Sequence, residues 1–184
     1  MKWHEELDII KYSPEVLQGL ELNEKTREFL TTNGLPESSA PFLSFNKNNN
    51  IQYEGLNPLT DWFDFLEPKF SKYISIGSDG NGNEIVIDTF EKYKIKILDH
   101  EFDFEEEFMN SSIIHLGYCL NAITEFVAEA QKKYGPDGYL DSLYKLENVN
   151  TLKNTLESID LEAMSEGNYW QTEISILFEE TKNN

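Results

Sequence analysis

Three short runs of β-branched and aromatic residues most constrain the fold of this chain. They are YISI at 73–76, EIVID at 84–88 and YKIKIL at 93–98, and such residues favour strands. The intervals between the runs are shorter than the dozen or more residues that a helical crossover needs, so they are predicted to pair as an antiparallel meander. In the last run Lys94 and Lys96 alternate with apolar residues, which predicts one solvated face for that strand.

The spacing of apolar residues changes after residue 110. One continuous stripe follows, made of Ile113, Leu116, Leu120, Ile123, Val127 and Ala130. Spacings of three and four predict a long helix, with a cap residue within 110–112 at its start and Gly135-Pro136 at its end. Two further helices are predicted over 151–164 and 168–180.

The first third of the chain carries its own helix and strand signals. Ser13-Pro14-Glu15 is typical of a helix start, and a second short helix is predicted over 23–30. Apolar runs at 42–45 and 51–53 predict two more strands. The stretch 57–70 predicts a helical turn that Trp62, Phe63 and Phe65 anchor and that Pro68 ends.

Together these patterns predict one α+β domain over residues 1–184. Its N-terminal helices come first, a central antiparallel sheet follows, and helices from the C-terminal half pack on that sheet.

The charge of the chain is strongly negative. It has 34 acidic and 15 basic residues, a formal net charge of −19, and the half from residue 99 onward carries −13 of it. Such a chain is repelled by nucleic-acid phosphates and by anionic membranes. The excess therefore indicates either a basic protein partner or simple solubility, and excludes direct nucleic-acid binding as the predicted function.

The acidic residues are densest in the segment DHEFDFEEE at 99–107. Acids and phenylalanines alternate over 101–104, which predicts an extended segment with one buried face. Its charges either only discourage edge-to-edge pairing or form a partner-docking edge. The candidate partner-binding residues are Asp99, Glu101, Asp103, Glu105, Glu106 and Glu107.

No catalytic, cofactor or metal site is predicted. The loop GSDGNGNE at 77–84 has oxygen ligands at calcium-loop spacings but lacks the later glycine and glutamate. Its Asn81-Gly82 pair instead predicts a hairpin turn with positive φ at both residues. Cys119 lies near the apolar stripe without a cationic neighbour, which is typical of an inert core thiol. Paired carboxylates of a hydrolase stay open as an alternative, but no apolar pocket marks such a pair.

We expect a cytosolic location. A single cysteine fits a reducing compartment, no stretch approaches the roughly 20 apolar residues of a bilayer span, and the first ten residues are acidic where a signal peptide is basic and then apolar.

Several motifs, taken in order, resemble the SUKH superfamily. They are GLP at 34–36, the strand–turn–strand YISIGSDGNGNEIVID at 73–88, DHE at 99–101, NSS at 110–112, and ID at 159–160 followed by YW at 169–170. Leu161 stands where the family usually has proline, which only allows the helix to continue.

The resemblance implies a non-catalytic α+β binding module. Bacterial SUKH proteins are immunity factors that bind and neutralise a cognate toxin, often a nuclease, so the predicted partner is a basic toxin effector domain. The alternative is a cytosolic regulatory scaffold that binds a cellular protein, as the fungal relatives do.

Overall fold

The computed structural model describes residues 1–182. In chain order its strands are β1 (Ile9–Ile10), β2 (Leu35–Pro36), β3 (Ser38–Ser39), β4 (Leu43–Phe45), β5 (Asn57–Pro58), β6 (Tyr73–Ser78), β7 (Glu84–Asp88), β8 (Lys94–Asp99) and β9 (Glu105–Asn110). Its helices are α1 (Glu24–Thr32), α2 (Leu59–Trp62), α3 (Ile113–Tyr134), α4 (Leu146–Ile159) and α5 (Tyr169–Glu180). Two 3-10 helices span Pro68–Lys72 and Glu162–Met164.

The predicted meander of β6, β7 and β8 is the centre of the main sheet. All of its pairs are antiparallel, and the order is β3-β4-β6-β7-β8-β9 with β5 beside β6. Ile85 pairs with Ile97, and Ile87 pairs with Ile95. This confirms the predicted α+β fold, with helices from the C-terminal half packed on an antiparallel sheet.

The two faces of the sheet lie in different layers because successive strand residues point to opposite sides. Isoleucines of β6, β7 and β8 form the main core with α3, α4 and α5. On the opposite face Val86 and Leu98 pack with Leu59, Tyr73 and Phe104. Lys96 lies on this second face and is buried, so the predicted solvated face of β8 is wrong.

The long helix α3 has the predicted ends and face. The Ser112 side chain caps it by accepting a hydrogen bond from the His115 backbone N–H, and Gly135 follows its last residue. Apart from the half-buried Val127, the predicted stripe is buried. Cys119 is also buried, and burial raises its pKa to about 12, which fits an inert thiol.

Several predicted local structures are wrong. Residues 13–20 form successive turns rather than a helix, because Gly19 leaves the right-handed helical region with φ +87°. The Arg27 guanidinium binds the Leu17 and Leu20 carbonyl oxygens of these turns. Residues 51–53 form a turn rather than a strand, closed by the Glu54 N–H on the Ile51 carbonyl at 3.1 Å.

The aromatic stretch 57–70 also differs from its prediction. Its helix is the single turn α2, and Pro68 begins a 3-10 helix rather than ending a helix. Phe65 is 71% exposed and does not anchor the turn. Trp62 is half-buried and packs edge-on against Tyr53.

The hairpin between β6 and β7 is confirmed, with a different loop. The Asp79 N–H binds the Asn83 carbonyl at 3.0 Å, and the Asp79 carboxylate accepts the Asn81 and Asn83 N–H groups. Of the predicted pair only Gly82 has positive φ, because the loop is longer than a two-residue turn.

Within residues 1–182, no helix combines the length and the apolar character that crossing a lipid bilayer requires.

One buried hydrogen-bond network joins the strands to the C-terminal helices. The Trp170 indole N–H donates to the Asn110 side-chain oxygen at 2.9 Å, and the Asn110 amide donates to Asp160 at 3.2 Å. Asp160 also accepts the Ser111 N–H at 2.7 Å and the Ser111 hydroxyl at 2.8 Å. The Asp160 carboxylate therefore joins the end of β9 and the segment before α3 to the end of α4, and Asn110 extends the network to the first turn of α5.

Replacing Asp160 with alanine should remove about 3 kcal/mol or more of folding stability. The change leaves donors of Asn110 and Ser111 without an acceptor inside the protein, and each unsatisfied buried donor costs about 1–3 kcal/mol. Chemical denaturation measures the loss, with the exposed Glu166→Ala as the matched control. An Asp160→Ala chain as stable as the control would contradict a stabilising role for this network.

Candidate functional site

The acidic segment 99–107 does not run straight. It leaves β8, makes a tight turn over 100–104 and returns as the edge strand β9. The Phe104 N–H binds the Asp99 carbonyl at 2.8 Å, and the Asp99 carboxylate accepts the Glu101 N–H at 2.9 Å. The prediction of an extended segment over 101–104 is therefore wrong, because local side-chain and backbone bonds of Asp99 favour the turn.

The fold separates the six predicted partner-binding residues into three environments. Glu101, Asp103 and Glu105 are exposed on the turn and at the start of β9. Asp99 and Glu107 are half-buried on the helix-covered side of the sheet. Glu106 points to the opposite face, where it binds Lys96 and Tyr73.

Glu106 belongs to an internal ion-pair network built around Lys96 and Asp88. The Lys96 ammonium binds Asp88 at 3.0 Å and Glu91 at 2.8 Å, and it also binds Glu106. Lys72 binds the buried Asp88 at 2.9 Å. Burial opposes ionisation of Asp88, yet the two lysines hold its pKa below the ordinary value.

Three carboxylates of this network lie close enough to bind a metal ion. Oxygen atoms of Asp88, Glu91 and Glu106 come within 4.8 Å of one another. Lys96 donates to all three, and although burial disfavours its charge, these carboxylates raise its pKa above the ordinary value. Lys96 thus supplies the positive charge of the cluster.

On the helix side, an open groove of ≈ 270 Å³ separates the 79–83 loop from α5. Asp79 from the loop and Glu173 and Glu180 from α5 line it. Tyr139 and Tyr169 also line it, and Phe42, which is 71% exposed, stands at it. The groove therefore combines acidic and aromatic groups from distant parts of the chain.

The carboxylates of the groove repel one another. Burial, followed by the charges of Glu107 and Asp79, raises the pKa of Glu173 from its ordinary value to about 7. Burial likewise raises the pKa of Glu107, with added effects from Asp79 and Asp99. Glu107 thus adds a fourth carboxylate beside the three that line the groove.

No internal cation compensates these charges within the part of the chain that the structure describes. Across residues 1–182, Asp79, Glu107 and Glu173 form no ion pair with a lysine, arginine or histidine. Glu180 receives a hydrogen bond from the Tyr144 hydroxyl. The groove thus groups carboxylates as the Lys96 network does, but among the described residues no lysine pairs with Asp79, Glu107 or Glu173.

An aromatic pocket of ≈ 540 Å³ lies on the opposite side of the acidic turn. Phe63, Phe65, Phe70 and Phe104 line it, together with His100 and Asp103. Phe65 and Phe102 are 71% and 66% exposed. Exposed aromatic rings therefore flank the exposed acids of the turn.

Sequence reasoning missed the groove residues of α5. Tyr169, Glu173, Ile176 and Glu180 recur at spacings of four, three and four, so they form one face of the helix beside the buried Trp170, Ile174 and Leu177. That periodicity was available in the sequence. Their proximity to Asp79 was not, because it depends on how α5 packs beside the β6–β7 hairpin.

Fold and site together define an acidic α+β domain with an uncompensated anionic groove on the helix-covered side of its sheet. Comparison with protein-family models identifies the class of protein to which this domain belongs. The chain belongs to the SUKH-4 immunity protein family, whose model matches residues 2–180. This confirms the SUKH resemblance and supports a toxin-immunity role in general terms.

Comparisons with curated proteins and with solved structures give no match.

The Lys96 network predicts a large cost for removing its central cation. Lys96→Met should lose about 3 kcal/mol of stability, because the buried Asp88 then keeps Lys72 as its one cationic partner among the ion pairs within residues 1–182, and removal of one member of a buried ion pair is strongly destabilising. The double variant Lys96→Met with Asp88→Asn should recover part of the loss. Denaturation curves measure both, and Lys69→Met serves as an exposed-lysine control. Equal stability of Lys96→Met and Lys69→Met would contradict the role assigned to Lys96.

The groove predicts a pH-dependent effect of Glu173→Gln. The pKa of Glu173 rises from 4.5 to about 7 on folding, so the folded state loses stability as pH increases through that window. The variant should be about 1–2 kcal/mol more stable than the wild type at pH 8, after allowance for solvent screening. The gain should vanish below about pH 3.5, where the glutamate is largely protonated in both the folded and the unfolded state. A pH-independent effect in paired denaturation curves would contradict the repulsion.

Proposed function

We propose that this chain is a non-catalytic immunity protein that binds and neutralises a cognate toxin effector domain through its acidic surface. Membership of the SUKH-4 immunity protein family supports the class of function. The observation that supports binding through the acidic surface is the set of carboxylates in and beside the groove, among which Asp79, Glu107 and Glu173 form no ion pair within residues 1–182. A partner with positive charge would supply that compensation.

The exposed turn of the acidic segment and the groove make different contributions to docking. Glu101, Asp103 and Glu105 are exposed, so they act mainly on the rate of association, since long-range charge steers association more than it adds affinity. Phe65 and Phe102 beside them are exposed aromatic rings, the kind of side chain that often provides binding energy at interfaces.

A nuclease domain is the partner that the charge favours. Nucleases bind phosphates in basic clefts, and an acidic surface can occupy such a cleft by presenting carboxylates in place of phosphates. We expect this encounter in the cytosol, where a nuclease toxin reaches nucleic acid.

The groove carboxylates support a binding role over acid–base catalysis. An acid–base pair needs environments that push two pKa values apart. Here the pKa values of Glu107 and Glu173 both move upward, for the shared reason that burial and like charges disfavour ionisation.

Co-expression tests the proposal directly. The chain is produced together with the toxin encoded by the neighbouring gene, and cell survival and co-purification are measured. We expect protection and a stable complex. A toxin that stays lethal, with no complex between the purified proteins, would reject the immunity role.

Neutralising the exposed acids of the turn should slow association. Glu101→Gln, Asp103→Asn and Glu105→Gln together should lower the association rate by about tenfold at low salt and flatten its salt dependence. Stability should change by no more than about 1 kcal/mol per exposed site. Stopped-flow mixing with the toxin domain measures the rate.

The control removes the same number of exposed charges elsewhere. Glu21, Glu24 and Glu28, in and beside α1, are exposed and are changed to glutamine. If both triple variants slow association equally, net charge alone acts and the turn has no special part in docking.

A further inference from the structure

We infer that the groove between the 79–83 loop and α5 is a socket for one cationic side chain of the bound partner, an arginine or a lysine. This inference rests on the proposed function and adds to it a specific anchor point and the chemistry that the anchor recognises.

The first observation is that separate elements bring their carboxylates to one place. Asp79 from the β6–β7 loop and Glu173 and Glu180 from α5 line the groove together. Glu107 on β9 lies near enough for its charge to raise the pKa of Glu173. An ammonium or guanidinium group placed between them would remove the repulsion.

The second, independent observation is the hydroxyl of Tyr169. The side chain is only 7% exposed and lines the groove, while its ring packs edge-on against Trp170. Across residues 1–182 no hydrogen bond from the protein engages this hydroxyl, whereas the Tyr73 and Tyr144 hydroxyls each bind a carboxylate. The Tyr169 hydroxyl is not one of the polar atoms that are closed off from solvent without a partner, so the side chain is buried while its hydroxyl opens into the groove that it lines.

The Tyr169 hydroxyl faces the same acidic groups. Burial raises its pKa, and the charges of Glu173, Asp79 and Glu107 raise it further. A hydroxyl oxygen can accept a hydrogen bond from an N–H donor. The groove therefore has two kinds of acceptor for a cationic donor, namely carboxylates and the neutral hydroxyl of Tyr169.

The Lys96 network shows how this protein satisfies a comparable cluster. There the carboxylates of Asp88, Glu91 and Glu106 surround one lysine ammonium, and the Tyr73 hydroxyl also binds Glu106. The groove has the same combination of acids and tyrosine, but no lysine, arginine or histidine of the described residues lines it.

The dimensions of the groove fit one side chain. Its ≈ 270 Å³ is smaller than the roughly 300–1,000 Å³ of pockets that hold drug-sized ligands. Phe42 and Tyr139 at the groove provide aromatic faces, on which a guanidinium group stacks well. These features favour arginine over lysine.

Occupation of the socket should release a proton. The groups that face Glu173 are Asp79 from the loop, Glu107 from β9, Glu180 on its own helix, and the tyrosines 139 and 169. All of them are acidic or neutral, so cation binding should lower the pKa of Glu173 and should be tighter at pH 8 than at pH 6.

The first experiment uses N-acetyl-arginine amide as the probe. Two-dimensional amide NMR of the full chain follows the titration, with N-acetyl-glutamine amide as a neutral control. We expect saturable shifts in the 79–83 loop, around Glu107 and in the first turns of α5, tighter at pH 8. Absence of saturable shifts at these positions would overturn the inference, as would equal shifts from the neutral probe.

Variants separate the socket from general acidity. Glu173→Gln should weaken the arginine probe by about tenfold or more, in line with removal of one charge-assisted bond, whereas Glu166→Gln should bind it like the wild type. Tyr169→Phe keeps the buried ring and removes only the hydroxyl, so it should weaken binding less than Glu173→Gln. The amide spectra also show that each variant is folded.

The toxin complex distinguishes failure of this inference from failure of the proposed function. If the wild type binds the toxin domain, Glu173→Gln should increase its dissociation rate by about tenfold, and Glu166→Gln should leave it unchanged. Unchanged dissociation of both variants would overturn the socket while the immunity role stands. A wild type that binds the arginine probe but no toxin would reject the immunity role alone.

Discussion

The carboxylate of Asp160 holds together the parts of the fold on which the rest depends. A buried carboxylate is costly unless hydrogen bonds satisfy it, and here donors from Asn110 and Ser111 do so. Because Asn110 also accepts the Trp170 indole N–H, the same bonds fix the start of α5 against the end of β9. Glu173 lies one turn beyond Trp170 on α5, so the position of the acidic groove follows from this network.

The negative charge of the chain is arranged in two opposite ways on the two faces of one sheet. Around Lys96 the acids are neutralised by lysines and contribute to the fold. Around Glu173 the acids are left to repel one another, which disfavours the compact state. Because successive strand residues point to opposite faces of the sheet, neighbouring residues fall into different environments. Glu106 lies in the first environment and Glu107 in the second.

Sequence patterns were sufficient for the elements whose signal is local or strongly periodic. The meander, the stripe of α3, the hairpin between β6 and β7 and the SUKH membership are confirmed. The helix predicted over 151–164 exists but lies earlier, as Leu146–Ile159, because Asp160 adopts an extended backbone to reach Asn110. The single-domain boundary over 1–184 and the docking role of the acidic residues stay predictions.

The errors have a common physical origin in contacts between residues distant in sequence. Arg27 binds the Leu17 and Leu20 carbonyl oxygens and so fixes the turns over 13–20, a contact that the helix-start signal at 13–15 does not reveal. Glu106 was grouped with its acidic neighbours, although its nearest charge is Lys96 on the adjacent strand. Composition counts charges but does not show which of them already have a partner.

The difference between paired and unpaired carboxylates determines how the groove can contribute to binding of a partner. An ion pair formed at an interface usually gains little, because both partners lose hydration. Carboxylates that are already partly dehydrated and held against one another have lost part of that hydration during folding. A cation that enters the groove would therefore both form new bonds and relieve a repulsion present in the free protein. The repulsion at Glu173 lowers the stability of the free protein, and its relief adds to the free energy of binding. Only a partner that places a positive charge at that point gains this contribution.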